Sequence, residues 1–150
     1  MTAVIARVAD AELLVLPGGS TMQLLEEGDG TSETMTVHRS TIRAGSMGAG
    51  PHHHVETTEL LYVLRGALQV LAGDAISIAG EGDVVVIPPG VVHAFAATAD
   101  GDAEVLDVVT PGFARFDMFR RIAAGPGSGA GPDGPDTYAE DSAVWRGREG

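Results

Sequence analysis

Residues that could ligate a metal ion are concentrated in two short segments of the chain. The protein has five histidines, and four of them lie in residues 51–66 (PHHHVETTELLYVLRG) and residues 82–96 (GDVVVIPPGVVHAFA). A single histidine or glutamate is more often a surface or core residue than a ligand. The joint spacing across two segments favours a metal site over these separate interpretations.

The side chains that could share one ion are those of His52, His54, Glu59 and His93. In an extended segment, residues i and i+2 point to the same side, so His52 and His54 would face the interior and His53 would face outwards. A neighbouring strand could bring His93 to the same point. Three imidazoles and one carboxylate suit one divalent transition metal, and the set leaves Fe, Ni, Mn, Cu, Co and Zn open. Four ligands on a six-coordinate ion leave two positions for substrate or dioxygen.

The elements that position these residues are predicted to be short β-strands. Runs rich in Val, Ile, Leu and Thr alternate with turn residues, and the chain contains 21 glycines and 8 prolines. The candidate strands are residues 3–8, 13–16, 22–25, 33–42, 59–64, 67–71, 75–78, 84–87, 91–96 and 104–109. So many strands at short spacing predict an all-β sandwich or barrel with antiparallel neighbours.

The pattern changes after Pro111. Three phenylalanines and one isoleucine recur every third residue from 113 to 122. This spacing predicts one short helix over residues 112–123, packed on the outside of the barrel.

The end of the chain has the composition of a linker and a tail. Residues 125–135 read GPGSGAGPDGP, which is typical of a flexible connection. We expect the following segment to be a loose tail; the alternative is an arm anchored by Trp145 that docks on a partner subunit or covers the barrel mouth. The expected organisation is therefore a barrel with its helix over residues 1–123, and a linker with tail over residues 124–150.

The overall composition excludes several function classes. The formal net charge of −12 argues against a nucleic-acid partner and against an anionic membrane surface. The absence of cysteine excludes disulfides and thiolate metal sites. Charged residues interrupt the apolar residues near the N-terminus, so we expect no signal peptide or membrane span and a cytoplasmic location.

The first segment resembles the first motif of the cupin superfamily. That motif has H-x-H, then Glu after three or four residues, then Gly after six more, and the matching residues here are His52, His54, Glu59 and Gly66. The family's glycine that precedes the first histidine is replaced by Ser46, with Gly45 and Gly48 close by.

The second segment resembles the second cupin motif, G-x5-P-x-G-x2-H-x3-N. Gly82, Pro88, Gly90 and His93 match it, and Ala97 replaces the final asparagine. The resemblance implies a jelly-roll β-barrel with a metal site, and it implies a homodimer, because cupin barrels commonly pair through their sheets. The segment TPGFARFDMF also looks like the C-terminal helix of small quercetin-dioxygenase-like cupins.

Other residues are candidates for the walls of the site. We expect an apolar, substrate-binding interior formed by Tyr62, Phe95, Met47 and Met35. The strand before the first motif adds two candidates, His38 as a base close to the site and Arg39 as a contact for a substrate anion. Asp107 lies among apolar residues and could be a buried acid, but an outward orientation is the simpler interpretation.

Three functions fit these residues. The first is a metal-dependent oxygenase or dioxygenase acting on a small aromatic or polyketide-like metabolite, with Glu59 as ligand and proton acceptor. The second is a zinc-type Lewis-acid cyclase, isomerase or dehydratase of secondary metabolism. The third is a small-molecule-binding cupin without turnover.

Overall fold

A computed structural model describes residues 3–125 and 136–145 of the chain. The elements in chain order are a 3-10 turn (Val8–Asp10), β1 (Glu12–Val15), β2 (Thr21–Glu26), β3 (Thr36–Ile42), β4 (His52–His54), β5 (Thr58–Arg65), β6 (Ala67–Ala72), β7 (Ala75–Gly80), β8 (Val84–Ile87), β9 (His93–Ala97), β10 (Ala103–Thr110), α1 (Phe116–Ala124) and β11 (Thr137–Ala139).

The strands form two antiparallel sheets. The six-stranded sheet has the order β1-β2-β3-β10-β5-β8, and the five-stranded sheet has the order β11-β4-β9-β6-β7. The chain crosses between the sheets several times, so sequence neighbours such as β4 and β5 lie in opposite sheets. The predicted all-β, cupin-type jelly roll with a short C-terminal helix is confirmed.

The inner faces of the two sheets pack into one apolar core. On β5, Glu59, Leu61 and Val63 are buried while the residues between them are less so, which is the alternation expected of a strand with one face inside. Leu61 and Val63 pack with Leu68 and Val70 of the opposite sheet. Burial of these side chains is the main stabilising contribution to the fold.

One glycine of the first motif is required by the backbone. Gly66, between β5 and β6, has a φ of 75°, where side chains other than glycine are strained. A Cβ atom there would also collide with the carbonyl oxygen of Asp102. The turn therefore requires glycine at this position.

The helix begins later than predicted and does not lie wholly outside the barrel. The backbone just before the helix makes hydrogen bonds to other parts of the chain. Gly112 N–H donates to the carbonyl of Glu33, and Phe113 N–H donates to Thr36 Oγ1. Glu27 Oε1 accepts hydrogen bonds from the N–H groups of Arg115 and Phe116 at 2.8 and 2.6 Å, which fixes the start of α1. The apolar side of α1 packs on β2 and closes the interior at that end.

The C-terminal arm, residues 136–145, is not a loose tail, and it docks at neither of the two expected places, a partner subunit or the barrel mouth. β11 pairs antiparallel with β4, and Trp145 is fully buried against Leu71, Ala94 and Ala96 on the outer face of the five-stranded sheet. The arm therefore docks on its own barrel. Beyond Gly125, the predicted linker lies outside the described residues.

Besides the helix, three strands differ from the sequence prediction: one predicted strand is absent and two strands were not predicted. Residues 3–8 form no strand and Ile5 is 75% exposed, so that prediction was wrong. β4 and β11 were not among the predicted strands, because three-residue strands carry too little pattern to be recognised. Among the described residues, no helix is long and apolar enough to cross a membrane.

Candidate metal centre

The first two candidate ligands lie on β4. His52 and His54 are buried and His53 is partly exposed, as the two-residue period of a strand predicts. The turn after Pro88 is tied to this strand, since Gly90 N–H donates to the carbonyl oxygen of His54 at 2.7 Å. This contact positions the start of β9 beside β4.

The other two candidate ligands come from neighbouring strands. His93 is the first residue of β9 and lies opposite His52 in the sheet. Glu59 lies on the inner face of β5, in the opposite sheet, and is 1% exposed. Two sheets and three strands therefore contribute side chains to a single point.

The geometry of these four side chains fits a bound cation. One donor atom from each of His52, His54, Glu59 and His93 lies within 4.8 Å of every other. Glu59 Oε2 is 3.0 Å from His54 Nε2 and 3.3 Å from His93 Nε2.

The opposite side of each imidazole ring faces a backbone carbonyl. Nδ1 lies 2.7 Å from the Gly50 oxygen in His52, 3.0 Å from the Asp136 oxygen in His54, and 2.9 Å from the Val91 oxygen in His93. A carbonyl only accepts, so each Nδ1–H donates to it and Nε2 is the ring atom that faces the other ligands. Imidazole nitrogens and a carboxylate that converge in this way need a cation or shared protons between them, and the donor set is one that binds divalent transition metals.

Burial and nearby charge favour the forms that bind metal. Burial, reinforced by the neighbouring His93, lowers the pKa of His52 to about 4, so this imidazole is neutral near pH 7. Burial alone would raise the pKa of Glu59, but hydrogen bonds from His54 and His93 outweigh it and hold that pKa well below its usual value. The site thus offers a neutral ring and a carboxylate.

Comparison with known proteins agrees with this geometry. A family model described as a cupin domain matches residues 38–109, which include all four candidate ligands. The chain belongs to the cupin superfamily.

Solved structures of distantly similar proteins show the same fold. KdgF from Halomonas sp. has a TM-score of 0.65 and 21% identity, with 78% of this chain and 99% of that chain covered. Pac13 from Streptomyces, described as a nucleoside dehydratase, has a TM-score of 0.60 and 20% identity, with coverages of 77% and 88%.

A third similar structure is the polyketide cyclase RemF from Streptomyces resistomycificus. It has a TM-score of 0.60 and 18% identity, with 74% of this chain and 80% of that chain covered. No curated protein matches the sequence significantly. At these identities the likeness concerns the fold.

Two candidate ligands of this cupin, His52 and Glu59, line a cavity of about 350 Å³. Its wall is mostly apolar, with Phe95 on β9 and with Met118 and Phe119 on α1. Pockets of this size and character bind small organic molecules. The helix therefore forms part of the cavity wall.

The polar part of the wall is a buried cluster of three side chains next to Glu59. His38 Nε2 lies 3.6 Å from Asp107 Oδ2, and Arg115 Nη1 lies 4.0 Å from Asp107 Oδ1. Burial, together with the charge of Arg115, lowers the pKa of His38 to about 3. Burial and the nearby Glu59 carboxylate raise the pKa of Asp107 well above its usual value.

Only some of the predicted wall residues reach the cavity. Phe95 and His38 line it, and Met47 lines it while remaining 38% exposed at its edge. Tyr62 and Met35 are 37% and 38% exposed and do not line it. The placement of Tyr62 inside was wrong because Glu59 and Tyr62 are three apart on one strand and must face opposite sides.

The prediction for Arg39 was also wrong. Arg39 follows the inward His38 on β3 and so points outwards, where Nη2 lies 3.1 Å from Glu104 Oε1. It cannot contact a ligand in the cavity from there.

The sequence analysis missed two residues of the site. Asp107 was expected to face outwards, but it is buried with Val105 and Val109 on the inner face of β10. Because the intervening Leu106 and Val108 are equally apolar, the alternation did not reveal which side is inside. For Arg115 no sequence signal marks burial.

The arm supplies a further missed contribution. The Asp136 carbonyl faces His54 Nδ1, and its carboxylate accepts hydrogen bonds from the backbone N–H groups of Val55, Glu56 and Thr57. Thr137 Oγ1 lies 3.2 Å from the same Nδ1. Only the folded chain brings these residues beside a ligand more than 80 positions away.

Proposed function

We propose that this cupin is a metal-dependent enzyme whose reaction is a redox-neutral proton transfer on a small, largely apolar molecule, such as an isomerisation, cyclisation or dehydration. The observation that carries the proposal is the position of His38 and Asp107. Both line the same cavity as Glu59, although neither belongs to the candidate ligand set. Proton donors and acceptors around one substrate cavity suit acid–base chemistry.

The candidate ligands would be His52, His54, Glu59 and His93. A divalent ion held there would supply Lewis-acid chemistry or, for a redox-active metal, dioxygen activation. The chain's own residues would do the rest: Glu59 accepts a proton at a carboxylate oxygen, Asp107 donates one from its carboxyl, and His38 hydrogen-bonds oxygen atoms of the substrate. The apolar wall around Phe95 excludes water.

Similar structures support this reaction class by analogy. Pac13 is described as a nucleoside dehydratase and RemF as a polyketide cyclase. Both names describe reactions that rearrange or eliminate without requiring an oxidant. Fold similarity by itself is weak support for a reaction, so the cavity residues carry the argument.

Oxygenase chemistry is the second candidate. The three-histidine, one-glutamate set and the apolar cavity beside it favour this reaction, because they suit a redox-active metal and a flat aromatic substrate. It predicts oxygen uptake with catechol, a flavonol or a naphthol when iron, nickel, copper or manganese is loaded.

One experiment distinguishes these candidates. The full chain is loaded separately with zinc and with each redox-active metal. Each preparation is incubated with aryl ketones, β-hydroxy ketones, catechol, a flavonol and naphthol. Every incubation is run once in air and once without it. We expect anaerobic turnover with zinc, reduced about 100-fold in Asp107→Asn at unchanged metal content. Turnover only in air would favour the oxygenase, and binding of these compounds without any product would favour the non-catalytic cupin.

We also propose that the chain forms a homodimer and acts in the cytoplasm. The outer face of the six-stranded sheet supports the dimer, because Tyr62, Val84 and Val86 are adjacent there and 37%, 51% and 58% exposed. Exposed apolar patches on a sheet commonly mark interaction surfaces.

A further inference from the structure

Arg115 is a buried cation on the wall of the cavity. It is 7% exposed and precedes the first residue of α1. Its guanidinium carbon lies 4.7 Å from the ring centre of Phe119 and 5.4 Å from that of Phe113. Contact with two aromatic rings restricts the guanidinium group, and arginine is rarely this buried unless it is paired.

Two of the three guanidinium nitrogens of Arg115 lack a hydrogen-bond acceptor among the described residues. Among residues 3–125 and 136–145, neither Nε nor Nη1 of Arg115 has an acceptor in reach. The nearest carboxylate oxygen, Asp107 Oδ1, is 4.0 Å from Nη1, which is beyond hydrogen-bonding distance. His38 Nδ1 and Asp107 Oδ1, on the same wall, also lack partners in this part of the chain.

Such a group is costly to bury unless an acceptor reaches it from outside the chain. The cavity is the route by which an acceptor can arrive, since Arg115 lines it. A ligand that carries an oxygen anion would supply an acceptor for this guanidinium group.

The charge around the cavity also favours an anion. Among the described residues that line the cavity, the acidic side chains are those of Glu59 and Asp107. Even with both ionised, their negative charge is smaller than the combined positive charge of Arg115 and a divalent ion at the candidate metal centre. This local balance is opposite to the whole chain, whose net charge is −12. A negatively charged ligand would therefore be drawn to this cavity and not to the surface around it.

We propose that the cavity binds a small monocarboxylate, with its carboxylate hydrogen-bonded to the guanidinium group of Arg115 and its apolar body against Phe95 and Met118. A planar guanidinium pairs with a planar carboxylate through two parallel hydrogen bonds. Arg115 is the sole Arg or Lys among the described residues that line the cavity. This assignment rests on the proposed function for the identity of the cavity as the substrate site.

The test compares a carboxylate with its neutral isostere. Binding of 2-naphthoate and of 2-naphthamide to the full-length protein is measured by isothermal titration calorimetry, once after metal removal by a chelator and once after zinc loading. We expect 2-naphthoate to bind at least about tenfold more tightly than 2-naphthamide in both states, a ratio typical of a charge-assisted hydrogen-bonded pair. Arg115→Gln should remove this preference.

Two further variants control the result. Arg39→Gln removes an arginine from the outer face of β3 and should keep the full preference. If circular dichroism shows that Arg115→Gln does not fold, Arg115→Lys replaces it. It retains the charge but not the planar pair of donors, so it should weaken 2-naphthoate binding about tenfold and leave 2-naphthamide binding unchanged.

The outcomes separate this inference from the proposed function. No preference in the metal-free wild type, or a preference that persists in Arg115→Gln, would overturn the carboxylate assignment even if the loaded protein is an active enzyme. A preference that depends on Arg115 would support the assignment even if no metal-dependent turnover is found.

Discussion

At the scale of single residues, the orientation of each candidate ligand is set by the backbone carbonyl opposite its Nδ1. Gly50, Val91 and Asp136 provide these carbonyls. Two of them lie two residues before the histidine that they orient, and the third comes from the C-terminal arm. Each ring is therefore directed towards Glu59 before any ion binds, which lowers the entropic cost of assembling the site.

His54→Ala is the residue-scale test of metal binding. We expect wild-type protein to contain close to one equivalent of a divalent transition metal and the variant to lose it, because one of four converging donors is removed. Elemental mass spectrometry of the purified proteins measures this. His53→Ala is the matched control, since its side chain points outwards to Glu140. Equal metal content in His54→Ala and wild type would contradict the proposed ligand set.

His38 predicts a pH dependence of stability in the metal-free protein. Its pKa in the folded state is lowered by burial to about 3 from its ordinary value of 6.5, so between these values the unfolded chain binds more protons. The free energy of unfolding should therefore fall as the pH drops through this window, by up to about 1.4 kcal/mol per pH unit from this residue.

His38→Gln is expected to reduce that slope by the contribution of one proton. Urea unfolding of wild type and variant at pH 7, 6, 5 and 4 provides the comparison. Parallel curves for the two proteins would show that His38 does not titrate in this way.

At the scale of elements, the arm and the helix complete a site that the barrel alone leaves unfinished. β11 extends the sheet beyond β4, and Asp136 binds the turn after His54 with its carboxylate. α1 closes the opposite side of the cavity and supports Arg115. The two segments therefore stabilise the metal-binding strand and the polar wall, respectively.

Asp136→Ala should weaken metal binding without removing it. The substitution releases the turn at residues 55–57, so the arm should hold His54 less firmly, and losses of about tenfold are typical when a partner of a metal ligand is disturbed. A competition titration against a chromogenic zinc chelator measures the affinity. Glu140→Gln, on the same arm but facing His53, should retain wild-type affinity; a similar loss in both variants would point to general loosening of the arm instead.

At the scale of the whole molecule, the outer face of the six-stranded sheet is the strongest candidate for self-association. Val86 is 58% exposed on this face and is adjacent to Leu60 and close to Tyr62. On the five-stranded sheet, Trp145 covers the outer face around Leu71, Ala94 and Ala96. The two faces therefore differ in how much apolar surface is left for a second copy.

Val86→Glu is expected to convert a dimer into a monomer, because it places a charge in the middle of the proposed interface. Sedimentation equilibrium of the full chain gives the mass. Ile78→Glu adds the same charge at a residue that is 60% exposed on the other sheet, and it should leave the dimer intact. Dissociation by Ile78→Glu alone, or a monomeric wild type, would overturn the proposed interface.

The sequence by itself determined the class of fold and the candidate ligands. Alternating apolar runs separated by glycine and proline specify antiparallel strands, and the spacing of His52, His54, Glu59 and His93 follows a pattern local enough to be recognised. The motif residues Gly66 and Gly90 belong to the same signal, since both have a positive φ that short-range turns impose. These properties depend on neighbours in the chain, so they can be predicted without a structure.

The tertiary structure alone decided which other side chains surround the site. Asp107 lies among apolar residues on both faces of its strand, so only the packing of the two sheets shows that it faces inwards. Arg115 and Asp136 reach the cavity and the ligands through a helix and an arm whose docking depends on contacts across the whole chain. Long-range packing, which leaves no local pattern, therefore sets the polar wall on which the proposed chemistry and ligand depend.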